Sequence, residues 1–513
     1  MTNKSSSLWG AIASFTVLIF GGWSGTVIGW LLGSAAGFTA CQGKMIPHPQ
    51  LGTRIGVKAG LVLGIWLLVA SVAEGVVIRP ISGQSTVGLP QSLLYGVLAL
   101  VMAVLAAAVI GTLHGLPNEP KRRAMLVTLA FILIIFPFVD QVAQTNWIAT
   151  VVQIQIFVML ALGLNIAVGF AGLLDLGYAA FFAIGAYTTG LLSSPQLNIE
   201  WNFWLVLPIA AVVAAIAGVI LGAPTLRLRG DYLAIVTLGF GEIIPVVFRN
   251  LTEVRIYEPI SQIFASILRR PTMAICLVGC DRPLNLTGGE AGINPIGRPF
   301  LPIIGTFSSS NYFPWYYLIL FLVVFAYFII GRLRDSRLGR SWAAIREDEL
   351  AASAMGINLV QTKLLAFAMG ATFSGFAGAF YAAYISAIFP SVFDFSVSVI
   401  ILCMVILGGL GNMTGVILGG IIIMSADRLF LPQLAQVLKS FLNTSVLPNI
   451  ANPTLRDFVA TSIDPIQMRL LLFGLTLVIM MIVRPEGLVP DVMHQAELHD
   501  EANQESIADL RSQ

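Results

Sequence analysis

Residues 339–365 read GRSWAAIREDELAASAMGINLVQTKLL. This block is charged and rich in alanine, and it stands between two long apolar runs, at 313–331 and 363–387. Trp342 through Met355 contains no Pro or Gly and is rich in Ala, Glu and Arg, residues that favour helix. Gly356 then ends it, as a glycine at a helix C-terminus does. Asn358 opens the lead-in to the next run. The expectation is a short helix in water, held between two helices in a membrane. Ala351, Ala352 and Ala354 give it a small-residue surface, ringed by Arg346, Glu347, Asp348 and Glu349. Two readings fit this surface. It is either a knob for a groove on a partner protein or a solvated connector stabilised by its own charges.

Composition extends the membrane reading to the whole chain. Of 513 residues, 57% are hydrophobic and 11% charged, with a mean hydropathy of +0.87. A soluble domain carries about 25% charge. A chain this long and apolar cannot clothe itself in polar surface, so the bilayer is its solvent. Runs of about 20 apolar residues span the hydrocarbon core. Candidates are 10–38, 55–79, 92–116, 124–139, 148–169, 171–193, 203–225, 230–249, 313–331, 363–387, 393–411, 412–431 and 468–484. The segments are too long for barrel strands and lack strict alternation. The expected fold is an all-α polytopic membrane protein with about 10–13 transmembrane helices. Residues 393–431 are read as two helices joined at GGLGNMTG, because the glycines favour a turn.

Positive charge orients the spans. Lys121, Arg122 and Arg123, then Arg227 and Arg229, then Arg332, Arg334, Arg337, Arg340 and Arg346 all fall on one side by span counting. That side is the cytoplasm, which makes 332–362 a cytoplasmic loop and 251–312 an external insertion. The insertion carries Arg255, Arg269 and Arg270, but long loops obey the charge rule poorly. The same count places 432–466 outside, with apolar positions suited to the membrane surface, and the acidic tail 491–513 inside. The first 120 residues read as an added region of about three membrane helices. Gly21, Gly25, Gly29, Gly33 and Gly37 recur every fourth residue, as do Gly56, Gly60 and Gly64. Each set lies on one helix face and suits close helix packing, against the other glycine face or another membrane chain. The N-terminal apolar run is too long for a cleavable signal peptide.

Several functions are excluded or narrowed. A net charge of +2 gives no nucleic-acid footprint. No G-x-x-x-x-G-K-[ST] occurs, so the chain carries no Walker-type nucleotide site. His48, His114, His494 and His499 are scattered and form no metal constellation. Cys276 and Cys280 fall in the external insertion, where a disulfide and two free thiols are both open readings. Intramembrane ionisable residues are functional candidates by default. Asp175 either lines a pathway or caps its span. Glu242, flanked by Gly239, Gly241 and Pro245, suggests a broken helix that exposes backbone along a pathway. Gly288, Gly289 and Gly292 suggest a backbone turn near the pathway mouth or a simple loop.

Ala351-Ala352 followed by Gly356 resembles the coupling loop of ABC importer permeases. AIREDELAASAMGIN in particular resembles the branched-chain amino acid permease family of the LivH/LivM type, in its LivM branch. Leu350 stands where that loop's glutamate is expected, with Glu349 one residue early. GLNIAVGFAGLLDLGYAAFFAIGAY (163–187), LRLRGDYLAIVTLGFGEI (226–243), SVIILCMVILGGLGNMTGVILGG (398–420) and RPEGL (484–488) resemble the same family, in the same order. NLTGGEAGI (285–293) resembles its Thr-Gly-Gly-Pro-Asn-Gly-Ile segment, with Glu290-Ala291 replacing Pro-Asn. The resemblance covers about 121–490 and implies a transport subunit rather than an enzyme, without a cofactor. It implies two ATP-binding subunits docking on Arg346, Glu347, Asp348, Glu349, Ala351, Ala352 and Gly356. It also implies a second, LivH-like permease, an external binding protein, and a multi-pass place in a bacterial inner membrane. The implied cargo is a branched-chain or other hydrophobic or neutral amino acid, with urea or a short amide as the alternative. An ion-coupled secondary transporter is the rival class. It calls for paired intramembrane carboxylates and an inverted repeat, neither of which is evident in the sequence.

Overall fold

A computed structural model of the chain describes residues 49–73, 89–114, 118–143, 147–195, 199–225, 231–252, 285–302, 305–308 and 310–442, together with 471, 474–475, 478, 482 and 487–489. The first glycine series, Cys276 and Cys280, and the acidic tail lie outside the described residues. Among the described residues the protein is helical, apart from one short antiparallel strand pair, Phe300–Leu301 with Gly305–Thr306. Among the described residues, eight helices are long and apolar enough to cross a membrane, and three more apolar helices are shorter. The chain is an all-α polytopic membrane protein, as its hydropathy predicts.

The chain divides into two compact units. The first contains α1 (Pro49–Ala73), α2 (Leu89–His114), α3 (Asn118–Ala143) and, late in the sequence, α14 (Leu431–Phe441). The second glycine series finds its partner in α2. A side chain at Gly56 would meet Ala107, one at Gly60 would meet Ala103 and Val104, and one at Gly64 would meet Leu100. The falling partner numbers make the pair antiparallel. Asp140, near the end of α3, accepts from the backbone N–H of Trp147 at 2.9 Å and of Ile148 at 3.2 Å.

The second unit carries the segments that bear chemistry. Its helices are α4 (Ile148–Asn165), α5 (Ala179–Ser193), α6 (Phe203–Thr225), α7 (Asp231–Asn250), α8 (Phe313–Arg334), α9 (Arg337–Glu347), α10 (Glu349–Ala354), α11 (Leu359–Ile385), α12 (Phe395–Gly408) and α13 (Met413–Ser425). At its centre α5, α6 and α11 pack on one another through small residues. Gly185 faces Gly375, Gly375 also faces Ala210, Ala211 and Ala214, and Gly378 lies against Phe182 and Ala186. Such contacts let backbones approach closely where lipid supplies no hydrophobic drive. Trp315 of α8 meets the Phe380 and Tyr384 rings of α11 edge-on, at 5.7 and 5.5 Å between centroids.

Four details differ from or sharpen the sequence expectation. The single helix foreseen over 342–355 is two, because Asp348 leaves helical geometry (φ −154°, ψ 112°). The span foreseen over 171–193 becomes helical only at Ala179; residues 171–178 are not helical. Helix α7, expected to break, runs unbroken through Gly239, Gly241 and Pro245. Residues 393–431 do form two helices, turned by Gly409 (φ +115°) and Gly411 (φ +84°).

The α1–α2 contact yields a test. Gly60→Leu should destabilise the purified protein by about 1–3 kcal/mol, the usual range for overpacking, read as a lower melting temperature in detergent. An unchanged melting temperature would show that this face is not in contact.

Candidate functional site

The polar block folds as a helix pair clamped to the membrane helices at several points. Ser336 caps α9, its Oγ accepting from Gly339 N–H at 3.3 Å. Trp342 is fully buried and its Nε1 donates to the Thr362 carbonyl in the first turn of α11, at 2.8 Å. Asp348 closes α9 and opens α10, its Oδ1 accepting from Leu350 N–H at 2.7 Å and Ala351 N–H at 3.1 Å. Gly356 ends α10 with φ +86°. Gly356 N–H bonds to Ser353 O and Ile357 N–H to Ala352 O, at 3.0 and 3.1 Å. That pair of bonds is the glycine-terminated helix stop anticipated from sequence.

The charges divide into two groups. Glu349 forms an ion pair with the buried Lys363 of α11, and Arg346 turns inward, its Nη1 donating to the Gly169 carbonyl at 2.6 Å. Ala352 is buried. Glu347, Asp348, Ala351 and Gly356 are exposed. Leu350, 70% exposed, and Met355, 84% exposed, are the most exposed large apolar side chains of the pair. The outward surface of α10 and its cap therefore presents Leu350, Ala351, Ala354 and Met355 beside the exposed Glu347 and Asp348.

Arg346 leads to a second feature. Gly169 lies in a π-turn, Ile166–Phe170, that ends α4. Just before it, the buried Asn165 accepts from Gly411 N–H at 3.0 Å, which ties the π-turn to the glycine turn between α12 and α13. After it comes the non-helical segment 171–178. Asp175, 1% exposed, accepts from Gly177 N–H at 2.9 Å. Thr237 of α7 accepts from Leu176 N–H at 3.1 Å, and Ser398 of α12 accepts from Ala179 N–H at 3.0 Å. Tyr178 donates its hydroxyl to the Gly370 carbonyl at 2.9 Å. Gly177 lies against Thr237 and Gly241, and a side chain at Gly241 would meet Gly177 Cα at 3.0 Å.

The structure thus brings Asp175 and Gly241 together and separates both from Glu242. Asp175 borders a cavity of about 10 Å³ with Phe181, Thr237, Phe240 and Phe367, about the space one water needs. Glu242 is exposed on the opposite face of α7. Gly288 and Gly289, with φ of +70° and +59°, form a tight turn beyond the last residue of α7. There Glu290 pairs with Arg249 at 2.7 Å, and Ile293 forms an antiparallel bridge with Ile388.

A sequence family described as "Branched-chain amino acid transport system / permease component" matches residues 146–481, well over half the chain. The chain belongs to this permease family. The high-affinity branched-chain amino acid transport system permease protein LivM of Escherichia coli (strain K12) is 37% identical over 74% of this chain and 78% of that protein. A probable LivM permease of Methanocaldococcus jannaschii is 25% identical over 63% of this chain and 82% of its own. The E. coli LivH permease is 23% identical over 57% of this chain and 87% of its own. No solved structure matches. The chain is a LivM-like permease, a multi-pass membrane subunit of the ABC importer type.

Sequence reasoning about this permease missed Asn165, Gly169, Trp342, Lys363, Leu350 and Met355 as parts of the site. Their signals are weak one at a time: an amide inside an apolar run, and apolar residues inside a charged one. The arginine link is testable. Arg346→Gln should accelerate amide hydrogen exchange in 166–173 at least fivefold while leaving the α5–α6–α11 core protected. Uniform exchange across all these segments would contradict the link.

Proposed function

We propose that this chain is the LivM-like half of the membrane pathway of an ATP-driven importer. Its cargo is a branched-chain or other hydrophobic or neutral amino acid. On this reading two ATP-binding subunits dock beneath it, a LivH-like permease completes the pathway, and a binding protein delivers cargo from the periplasmic side of a bacterial inner membrane. The names of its relatives support the cargo class.

The observation that carries the coupling is the exposed apolar face of Leu350 and Met355 on a helix pair in the loop that sequence charge assigns to the cytoplasm. A face of this kind in water calls for a protein partner. The rest of the pair is fastened inward through Trp342, Arg346 and Lys363. Motion imposed on Leu350 and Met355 would therefore pass to α11 and to the π-turn, as a rigid-body switch between outward- and inward-facing states requires. Asp175 and Gly241 hold the non-helical segment, Glu242 faces the pathway, and Gly288 and Gly289 shape its outer mouth. ATP is hydrolysed on the partner chains.

The decisive experiment co-expresses the permease with its neighbouring ATP-binding subunits and compares wild type with Leu350→Asp and Met355→Asp. Both positions are exposed, so the variants should fold and keep the wild-type melting temperature. Co-purification of the ATP-binding subunits and ATP-dependent leucine uptake should each fall at least tenfold. Docking and uptake that survive both substitutions would reduce the block to a connector and revive the ion-coupled reading.

A further inference from the structure

Of the eight long apolar helices, the one within α7 is the least covered, with 28% of its apolar stretch buried. Its exposed positions are Tyr232, Ile235, Glu242, Ile243, Val246, Val247 and Asn250. Their spacing puts them on one face. Glu242 is the one carboxylate between Tyr232 and Asn250. It lies eleven residues from the start of α7, about 17 Å along the axis, and so near mid-span. Among the described residues it makes no ion pair, and the nearest arginine along the helix, Arg249, is taken by Glu290.

Hydrocarbon does not tolerate a bare carboxylate at this depth; such groups face a water-filled cavity or a partner. The space beside Glu242 is an open concavity of about 460 Å³ along this one helix, lined by Glu242, Ile243, Val246, Val247, Asn250 and Leu251. One turn the other way, Gly239 leaves a notch: a side chain there would meet nothing within 4 Å. A carboxylate beside aliphatic side chains complements a small molecule with a positive group and an aliphatic side chain.

We propose that Glu242 receives the ammonium group of a zwitterionic aliphatic amino acid as it passes along the open face of α7, with Gly239 keeping the space that the cargo enters. This rests on the importer reading above and narrows its cargo to molecules that carry an ammonium, which excludes urea and other neutral amides. Among the described residues no basic side chain lines this space, so selection by charge falls on the ammonium end. Gly241, one residue before the carboxylate, seats the opposite face of α7 against Gly177 and so fixes the direction in which Glu242 points.

The test uses the complete transporter, with both permeases, the ATP-binding subunits and the binding protein, in proteoliposomes. ATP-dependent uptake of labelled leucine and labelled urea is measured for wild type, Glu242→Gln, Glu242→Asp and Gly239→Leu, together with subunit composition and melting temperature. Glu242→Gln and Gly239→Leu should each cut leucine uptake at least tenfold while keeping every subunit and the wild-type melting temperature. Glu242→Asp, which keeps the charge, should retain more uptake than Glu242→Gln. Leucine uptake by Glu242→Gln within twofold of wild type would overturn the proposal. So would loss of the second permease from the Glu242→Gln complex, because the carboxylate would then be pairing with that partner's cation. Wild type that moves urea but not leucine would overturn this proposal and leave the importer reading standing. Wild type that moves neither with ATP would bring down both.

Discussion

In a bilayer every backbone N–H and C=O must find a partner within the protein, each unsatisfied group costing several kcal/mol. Among the described residues, this permease interrupts its helices at 171–178 and at the Gly409–Asn412 turn, and polar side chains of the site answer those breaks. Asp175 and Thr237 take the N–H groups of Gly177 and Leu176, and Ser398 takes that of Ala179. Asn165 takes the N–H of Gly411, and Arg346 and Tyr178 supply donors to the carbonyls of Gly169 and Gly370. Polar side chains inside these apolar helices serve as partners for opened backbone.

The same bonds join distant parts of the sequence. Arg346 lies in the loop assigned to water, Gly169 at the end of α4 and Gly411 between α12 and α13, and two contacts connect all three. The α5–α6–α11 core beside them packs glycine on glycine and alanine, which leaves little slack for absorbing a displacement. Under the importer reading, a partner pressing on the Leu350–Met355 face acts on a block already fastened to α11 and to the π-turn. Interfaces packed this closely switch between discrete arrangements and do not deform smoothly.

Much of this was legible in the sequence. Apolar run lengths gave most of the spans that fall among the described residues, the glycine pairs gave the α12–α13 turn, and Gly356 gave the end of α10. What escaped has physical causes. Asp348 reads as a helix-compatible residue in a charged run, yet its carboxylate caps the next helix and splits the pair. Gly239, Gly241 and Pro245 read as breakers, yet α7 continues because Gly241 is needed to seat on Gly177, and Gly239 merely leaves open space. Asp175 and Glu242 read alike, as isolated charges in apolar runs. Only the three-dimensional arrangement assigns one to an enclosed backbone turn and the other to the open face of α7. The inward turn of Arg346 and Glu349 was hidden for the same reason, since spacing gives a helix face but not what lies against it.

Under the importer reading, ATP on partner subunits drives transport through this chain. The most direct measurement is leucine entry into proteoliposomes holding the assembled transporter. The binding protein is supplied on the outer side, and ATP, or a proton or sodium gradient without ATP, supplies the energy. Entry that requires ATP and the ATP-binding subunits, and ignores collapse of the ion gradients, is the predicted result. Entry driven by an ion gradient through this chain alone would contradict it.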